Sequence, residues 1–241
     1  MSINIAMWSG PRNISTAMMY AFAARPDATA WDEPFYAAYL KATGLNHPMR
    51  AEILAADEND WRKVEERCVG LAPRNVFYQK HMTHHMIPQF DRTFIKRLEN
   101  AFLIRSPEKV LASYAKKHDE VTLHAIGFVE QAEIFEMVAD AAGEAPPVVD
   151  ADVHVKNPRR SLQQLCEGLD IPFDDAMLHW PQGAKACDGA WAPHWYNAAW
   201  ESTGFAAHDS REPVALPDHL KKIADEARPY YDKLKAHAFK A

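Results

Sequence analysis

Cysteine is scarce and dispersed: Cys68, Cys166 and Cys187 stand singly, an odd number without CxxC spacing. That excludes a disulfide framework and a thiolate zinc module, and it fits a reducing, cytoplasmic setting. No apolar run approaches the ~18 residues that a membrane helix needs. Met1 to Ala6 lack the basic and long apolar regions of a secretory signal, so the first residues are expected to enter the fold directly. Excess positive charge is missing too. With 27 Lys and Arg against 33 Asp and Glu, the net charge of −6 argues against broad attraction to nucleic acid, and any anion site must be local. Internal repeats and low-complexity tracts are absent. The Walker A pattern is absent as well, because Arg12-Asn13-Ile14-Ser15-Thr16 stands where that pattern needs Gly-Lys-Ser/Thr.

What is present suits one α/β domain over residues 1–241, with 48% hydrophobic and 25% charged residues. Residues 3 to 20, INIAMWSGPRNISTAMMY, read as an apolar strand, a turn holding Gly10, Pro11 and Arg12, and a helix opening at Ser15 and Thr16. Backbone N–H groups, two hydroxyls and a cation at a helix N-terminus are the makings of a phosphate cradle. The same order also describes a plain strand and helix joined by a Gly-Pro turn and capped by Ser or Thr.

Further along, Ala28 to Trp31 read as a second strand running into Asp32-Glu33-Pro34, where proline turns the chain into a new helix. Residues 46 to 56 read as a linker and 58 to 71 as a helix with Trp61, Val64 and Cys68 on one face. Asn75 to Gln79 read as a third strand leading to Lys80 and His81, and Ala101 to Ile104 as a fourth ending at Arg105. Helices follow over 107–117, 123–142, 157–168 and 217–237, with a short strand at Pro147 to Val149. Residues 180 to 213 read as irregular and rich in tryptophan.

Strands alternating with helices predict a mainly parallel central sheet with helices on both faces, and such sheets bind ligands beyond the carboxyl ends of their strands. Those ends carry Gly10 to Arg12, Asp32-Glu33, Lys80-His81 and Arg105, so one crevice is expected to collect them. His81, His84 and His85, at i, i+3 and i+4, could meet one metal on a helix, yet no cysteine or acidic ligand stands nearby. No metal is expected.

The turn GPRNIST and the segment IRSPEKVLASY, with Arg105 and Ser113 eight apart, together resemble the two phosphate-binding signatures of the sulfotransferase superfamily. The stretch around GPRNIST and DEPFY looks most like bacterial and plant proteins of that superfamily, some labelled aminotransferase-like. The NPRRSLQQLCEGLDIPF pattern is similar to a late feature of the family, whereas its basic, glycine-rich C-terminal signature is not found; residues 195 to 205 are a candidate substitute. The resemblance implies a P-loop-like fold, the donor PAPS (3′-phosphoadenosine 5′-phosphosulfate) and a small-molecule acceptor. Gly10, Pro11, Arg12, Asn13, Ile14, Ser15 and Thr16 would then grip the 5′-phosphosulfate, and Arg105 with Ser113 the 3′-phosphate. Arg12 takes the place of a lysine common in the family.

Sulfuryl transfer needs a base, cations for the charge growing on the leaving phosphate, and rigid alignment. Glu33 is the first base candidate, with Asp32 its nearest rival; in ordinary structure it is a carboxylate favouring a helix start. His81 is the second, next to Lys80 where family members place a histidine two residues after the lysine. Lys80 is the candidate cation for the leaving oxygen. A phosphotransferase or kinase-like enzyme, and a nucleotide-binding module without catalysis, are the competing readings. A pyridoxal-phosphate aminotransferase would need a Schiff-base lysine, for which only Lys80 offers itself, and a much larger fold.

Overall fold

Four of the five parallel strands are built from segments buried along most of their length, as sheets covered on both faces require, and the edge strand Ala28–Asp32 is buried only at its two ends. The computed structural model describes residues 2–117, 120–205 and 214–240. In chain order the strands are β1 (Ile3–Ser9), β2 (Ala28–Asp32), β3 (Val76–Met82), β4 (Glu99–Ile104) and β5 (Val148–Asp150). They lie side by side as β2-β3-β1-β4-β5, which puts the first strand at the centre. Register aligns Asp32 with Lys80, Trp8 with His81 and Trp8 with Phe102.

The helices are α1 (Ser15–Ala23), α2 (Tyr36–Thr43), α3 (Arg50–Ala56), α4 (Trp61–Cys68), α5 (Pro107–Tyr114), α6 (Phe128–Ala142), α7 (Ala151–His154), α8 (Pro158–Gly168), α9 (Ala192–Trp195), α10 (Asn197–Glu201) and α11 (Asp218–Lys235). Side-chain alternation assigns them to faces. Tyr78 on β3 stacks on Phe22 of α1 at 4.3 Å, so α1 covers the face that also carries Lys80. On the opposite face Gln79 donates to the Cys68 carbonyl at the end of α4, and Phe102 meets Phe135 of α6 edge-on at 5.3 Å.

Several boundaries differ from the sequence reading. Residues 46–56 are not wholly linker, because Arg50–Ala56 form α3 around the buried Ile53. The strand β3 continues through Lys80, His81 and Met82, since all seven of its residues are buried. Residues 123–142 are not one helix: Gly127, at φ 69°, separates a short turn at His124–Ile126 from α6. Two short helices, α9 and α10, occupy part of 180–205, and residues 206–213 of that stretch lie outside the described residues. No helix among the described residues is long and apolar enough to cross a membrane.

One buried amide locks α6 to the ends of β1 and β4. Gln131 Nε2 donates to the carbonyls of Trp8 at 3.1 Å and Leu103 at 3.0 Å, and the residue is 2% exposed. Replacing it takes a donor from each of two buried carbonyls, of which Leu103 keeps the amide of Asn13. Gln131→Ala is expected to lower stability by about 1–3 kcal/mol, measured by urea unfolding, with the slope of the transition unchanged.

Candidate functional site

β1 runs into Gly10, Pro11, Arg12, Asn13 and Ile14 before α1 begins. Arg12 (φ 63°) and Ile14 (φ 56°) both occupy the left-handed region, at roughly 1–2 kcal/mol for each non-glycine residue. Outside contacts hold this shape. Asn13 Nδ2 donates to the Leu103 carbonyl at 3.2 Å, and Arg105 Nη1 donates to the Arg12 carbonyl at 2.8 Å. Gly10 permits the close approach of the loop to the 124–127 turn: a Cβ there would lie 2.4 Å from the Ile126 carbonyl oxygen.

The helix that follows has no side-chain cap. Ile14 stands at the N-cap position, while Ser15 and Thr16 fall inside the first turn. Its first N–H groups therefore keep their partial positive charge toward the loop. Ser9 Oγ and Asn13 Oδ1 are buried there without hydrogen-bond partners. The plain capped turn that the sequence also allowed is not what forms.

Arg12 Nε donates to Ser113 Oγ at 2.8 Å, so the loop after β1 and the helix after β4 meet across 101 residues. Arg12, Arg105 and Ser113 thus share one corner. Burial, and then the charge of Arg105, lower the Arg12 pKa, and among the described residues no carboxylate pairs with it. Arg105 has a partial counter-charge in Asp152, whose Oδ1 is 3.8 Å from its Nε. Asp152 is itself held by Lys109 at 2.9 Å and Ser106 at 3.1 Å. Two neighbouring guanidiniums with so little compensation leave net positive charge at this corner.

A second cluster forms where β2 and β3 end. Lys80 Nζ donates to Asp32 Oδ1 at 2.7 Å, Glu33 Oε1 at 2.8 Å and Tyr196 Oη at 2.6 Å. Asp32 Oδ2 accepts from the Tyr196 hydroxyl at 2.7 Å and from the Gly189 N–H at 3.2 Å. Burial alone would lower the Lys80 pKa, but Asp32 and Glu33 reverse this and hold it well above the ordinary value. Glu33 is raised by burial and by the charge of Asp32, with Lys80 opposing. Its backbone is left-handed (φ 39°), fixed by its N–H to the Lys80 carbonyl at 2.9 Å.

The Glu33 side chain is the partly open member, 13% exposed against 1–2% for Asp32 and Lys80. Its Oε2 lies 4.0 Å from His85 Nε2. The His85 ring is sandwiched between Tyr36 and Tyr39, each 4.8 Å away, and burial with its histidine neighbours keeps it neutral. His81 is not brought into this cluster. Adjacent strand residues face opposite ways, and His81 stacks on Trp8 at 4.3 Å with Nε2 3.1 Å from Gln79 Oε1. Burial lowers its pKa to about 3. Because His81 lies on a strand and His84-His85 in a 3-10 turn, the helical spacing considered for a metal does not exist. Among the described residues no group of three or more His, Cys, Asp or Glu could hold one.

Sequence reasoning placed Tyr196 only in the aromatic stretch and His85 only among possible metal ligands, and joined neither to Lys80. Tyr196 lies 116 residues from Lys80 and carries no local signal. Removing the shared ammonium leaves Asp32 and Glu33 buried against each other. Lys80→Met is expected to cost about 3–5 kcal/mol at pH 7, measured by urea unfolding. Since Glu33 already has a raised folded-state pKa, now without Lys80 to oppose it, the deficit shrinks as pH falls and the carboxyl takes up a proton.

A family model described as a sulfotransferase domain matches residues 3–238. Two Arabidopsis thaliana proteins, branched-chain-amino-acid aminotransferase-like proteins 1 and 2, are 36% and 34% identical over 234 residues. These matches cover 97% of this chain and 42% and 41% of theirs, so the chain spans about two-fifths of the length of those curated relatives. Among solved structures, the sulfotransferase domain from the curacin biosynthetic pathway superposes with a TM-score of 0.56 at 17% identity, over 95% of this chain and 98% of that one. The sulfotransferase from Alicyclobacillus acidocaldarius gives 0.56 at 9% identity, over 98% and 95%. Both likenesses concern the fold, which is the P-loop-like arrangement of these enzymes. Because the family model runs through nearly the whole chain and the fold agrees with it, this chain belongs to the sulfotransferase family.

Proposed function

We propose that this chain transfers a sulfuryl group from PAPS to a hydroxyl or amine of a small acceptor. The observation that carries the reading is the meeting of Arg12, Arg105 and Ser113 beside an uncapped helix N-terminus. A phosphate dianion fits two guanidinium forks and a hydroxyl, and the N–H groups from Gly10 to Thr16, proline excepted, fit a second anionic group. When bound, PAPS supplies the activated sulfuryl group. The family resemblance supports the same placement of the two phosphates. Cys68, Cys166 and Cys187 are all unpaired, which supports a reducing cytoplasm as the setting.

In this reading Glu33 takes the proton of the acceptor. It is the partly open carboxylate, and its raised pKa brings its basicity nearer to neutral pH. Its Oε1 is tied to Lys80, which leaves Oε2 for the acceptor, beside His85 and the Tyr36 and Tyr39 rings. Lys80 has all three of its donors engaged, so its role is to hold Glu33. The cation for the leaving phosphate is then Arg12, whose fixed charge on the cradle loop survives partial burial. His81 has no part in this scheme. The aminotransferase-like names belong to proteins more than twice as long, and Lys80, surrounded by two carboxylates and a phenol, is kept protonated, unlike a Schiff-base lysine.

Adenosine 3′,5′-bisphosphate is expected to raise the melting temperature of the wild type, and Arg105→Ala to lose that shift, in thermal-shift titrations. Stabilisation by ATP with magnesium instead would establish the kinase-like reading. Glu33→Gln is expected to abolish release of the bisphosphate from PAPS across phenol, alcohol and amine acceptors while keeping bisphosphate binding within about twofold. In the wild type the rate is expected to fall on the acid side, at a pH above the usual carboxylate range, as Glu33 becomes protonated. Binding without turnover under all these conditions would identify a non-catalytic module.

A further inference from the structure

The aromatic stretch between Trp180 and Glu201 does more than cover the sheet, because it delivers one hydroxyl into the Lys80 cluster. We infer that Tyr196 is a positioning residue of this site, acting through Lys80 and Asp32 on the Glu33 carboxyl; this rests on Glu33 being the base. The hydroxyl is fully used. Its one proton goes to Asp32 Oδ2 at 2.7 Å, and its lone pairs accept from Lys80 Nζ at 2.6 Å and Trp191 Nε1 at 3.2 Å. Burial, and then the Asp32 charge, hold the phenol well above its ordinary pKa, so it stays a donor.

Two consequences follow from that saturation. Lys80 has no spare donor and cannot turn away without breaking a buried contact, so Glu33 Oε1 is fixed and Oε2 is left facing His85. The negative charge of Asp32, which pushes Glu33 upward, is also partly quenched by the phenol. The position of the hydroxyl is set independently of Lys80. Asp188 accepts from Tyr20 Oη at 2.7 Å and Trp200 Nε1 at 2.8 Å, and Trp180 Nε1 donates to Ser202 Oγ at 3.0 Å, which pins the segment on both sides of Tyr196. A tyrosine present only to fill space would need its ring and not this hydroxyl.

The test follows the Glu33 carboxyl itself by carbon-13 NMR in protein labelled at glutamate, with Glu33→Gln assigning its signal, so that neither donor nor acceptor is needed. Tyr196→Phe keeps the ring and removes the hydroxyl; with Asp32 less quenched, the Glu33 midpoint is expected to move to higher pH. Replacing Tyr196 by 3-fluorotyrosine, a stronger donor that retains the shape, is expected to move it to lower pH and also serves if the phenylalanine variant does not fold. Trp200→Phe removes one of the three outer contacts and leaves the other two, and the hydroxyl's own partners, in place, so the midpoint is expected to stay where it is. In turnover, Tyr196→Phe is expected to lower kcat roughly tenfold, about one hydrogen bond's worth of barrier, with the bisphosphate affinity unchanged. Equal midpoints in wild type, Tyr196→Phe and the fluorotyrosine protein, or an equal shift in Trp200→Phe, would overturn the inference. Failure of the bisphosphate to bind the wild type would instead remove the transfer reading and leave the titration readable.

Discussion

A single buried ammonium organises the ends of β2 and β3. Lys80 is 1% exposed and satisfies Asp32, Glu33 and Tyr196 at once, so two strand ends and a distant loop are tied to one charge. Burying such a charge is favourable only when every donor is used, and here each one is. The arrangement depends on strand register. Asp32 stands directly beside Lys80 because β2 and β3 run parallel in that alignment, and a slip of one residue would turn Lys80 to the opposite face. The left-handed backbone of Glu33 follows from the same constraint, since its N–H is held by the Lys80 carbonyl while its carboxylate returns to the Lys80 ammonium.

The corner of Arg12, Arg105 and Ser113 uses the reverse principle. Where the Lys80 cluster compensates its charges, the loop after β1 leaves them exposed to one another: Arg12 lies against Ser113 and Arg105, and α1 begins without a cap. Like charges held together and a helix terminus left unsatisfied are unfavourable in the free protein. Two left-handed residues add strain in the same few positions. In the proposed function a bound phosphate supplies the missing partner. The corner and the Lys80 cluster lie at neighbouring strand ends, which is the placement the proposed transfer between a donor and an acceptor requires.

Much of the framework was legible in the chain itself. Short apolar runs separated by helical periods gave a parallel sheet, and the strand ends carrying Arg12, Glu33, Lys80 and Arg105 could be named from the pattern of apolar segments followed by charge. Where that reading stopped short, the cause is physical. The strand β3 runs on through Lys80 and His81 because their polar atoms are paired inside the protein, which no hydropathy pattern records. A glycine that looked harmless within a helical period, Gly127, takes a left-handed conformation and divides the helix, because the turn before it packs on Gly10.

The sequence by itself determined the order of the strands and the charged residues at their ends, since these follow from local periodicity and turn chemistry, while the pairing of Arg105 with Ser113 was read from the resemblance to the sulfotransferase superfamily. Only the tertiary structure decided which neighbours in sequence become neighbours in chemistry. Lys80 and His81 are adjacent in the chain and lie on opposite faces of a strand, whereas Lys80 and Tyr196 are 116 positions apart and share a hydrogen bond. The direction of a side chain is set by strand alternation together with the long-range packing that fixes register, and that packing is a property of the assembled core rather than of any segment of it.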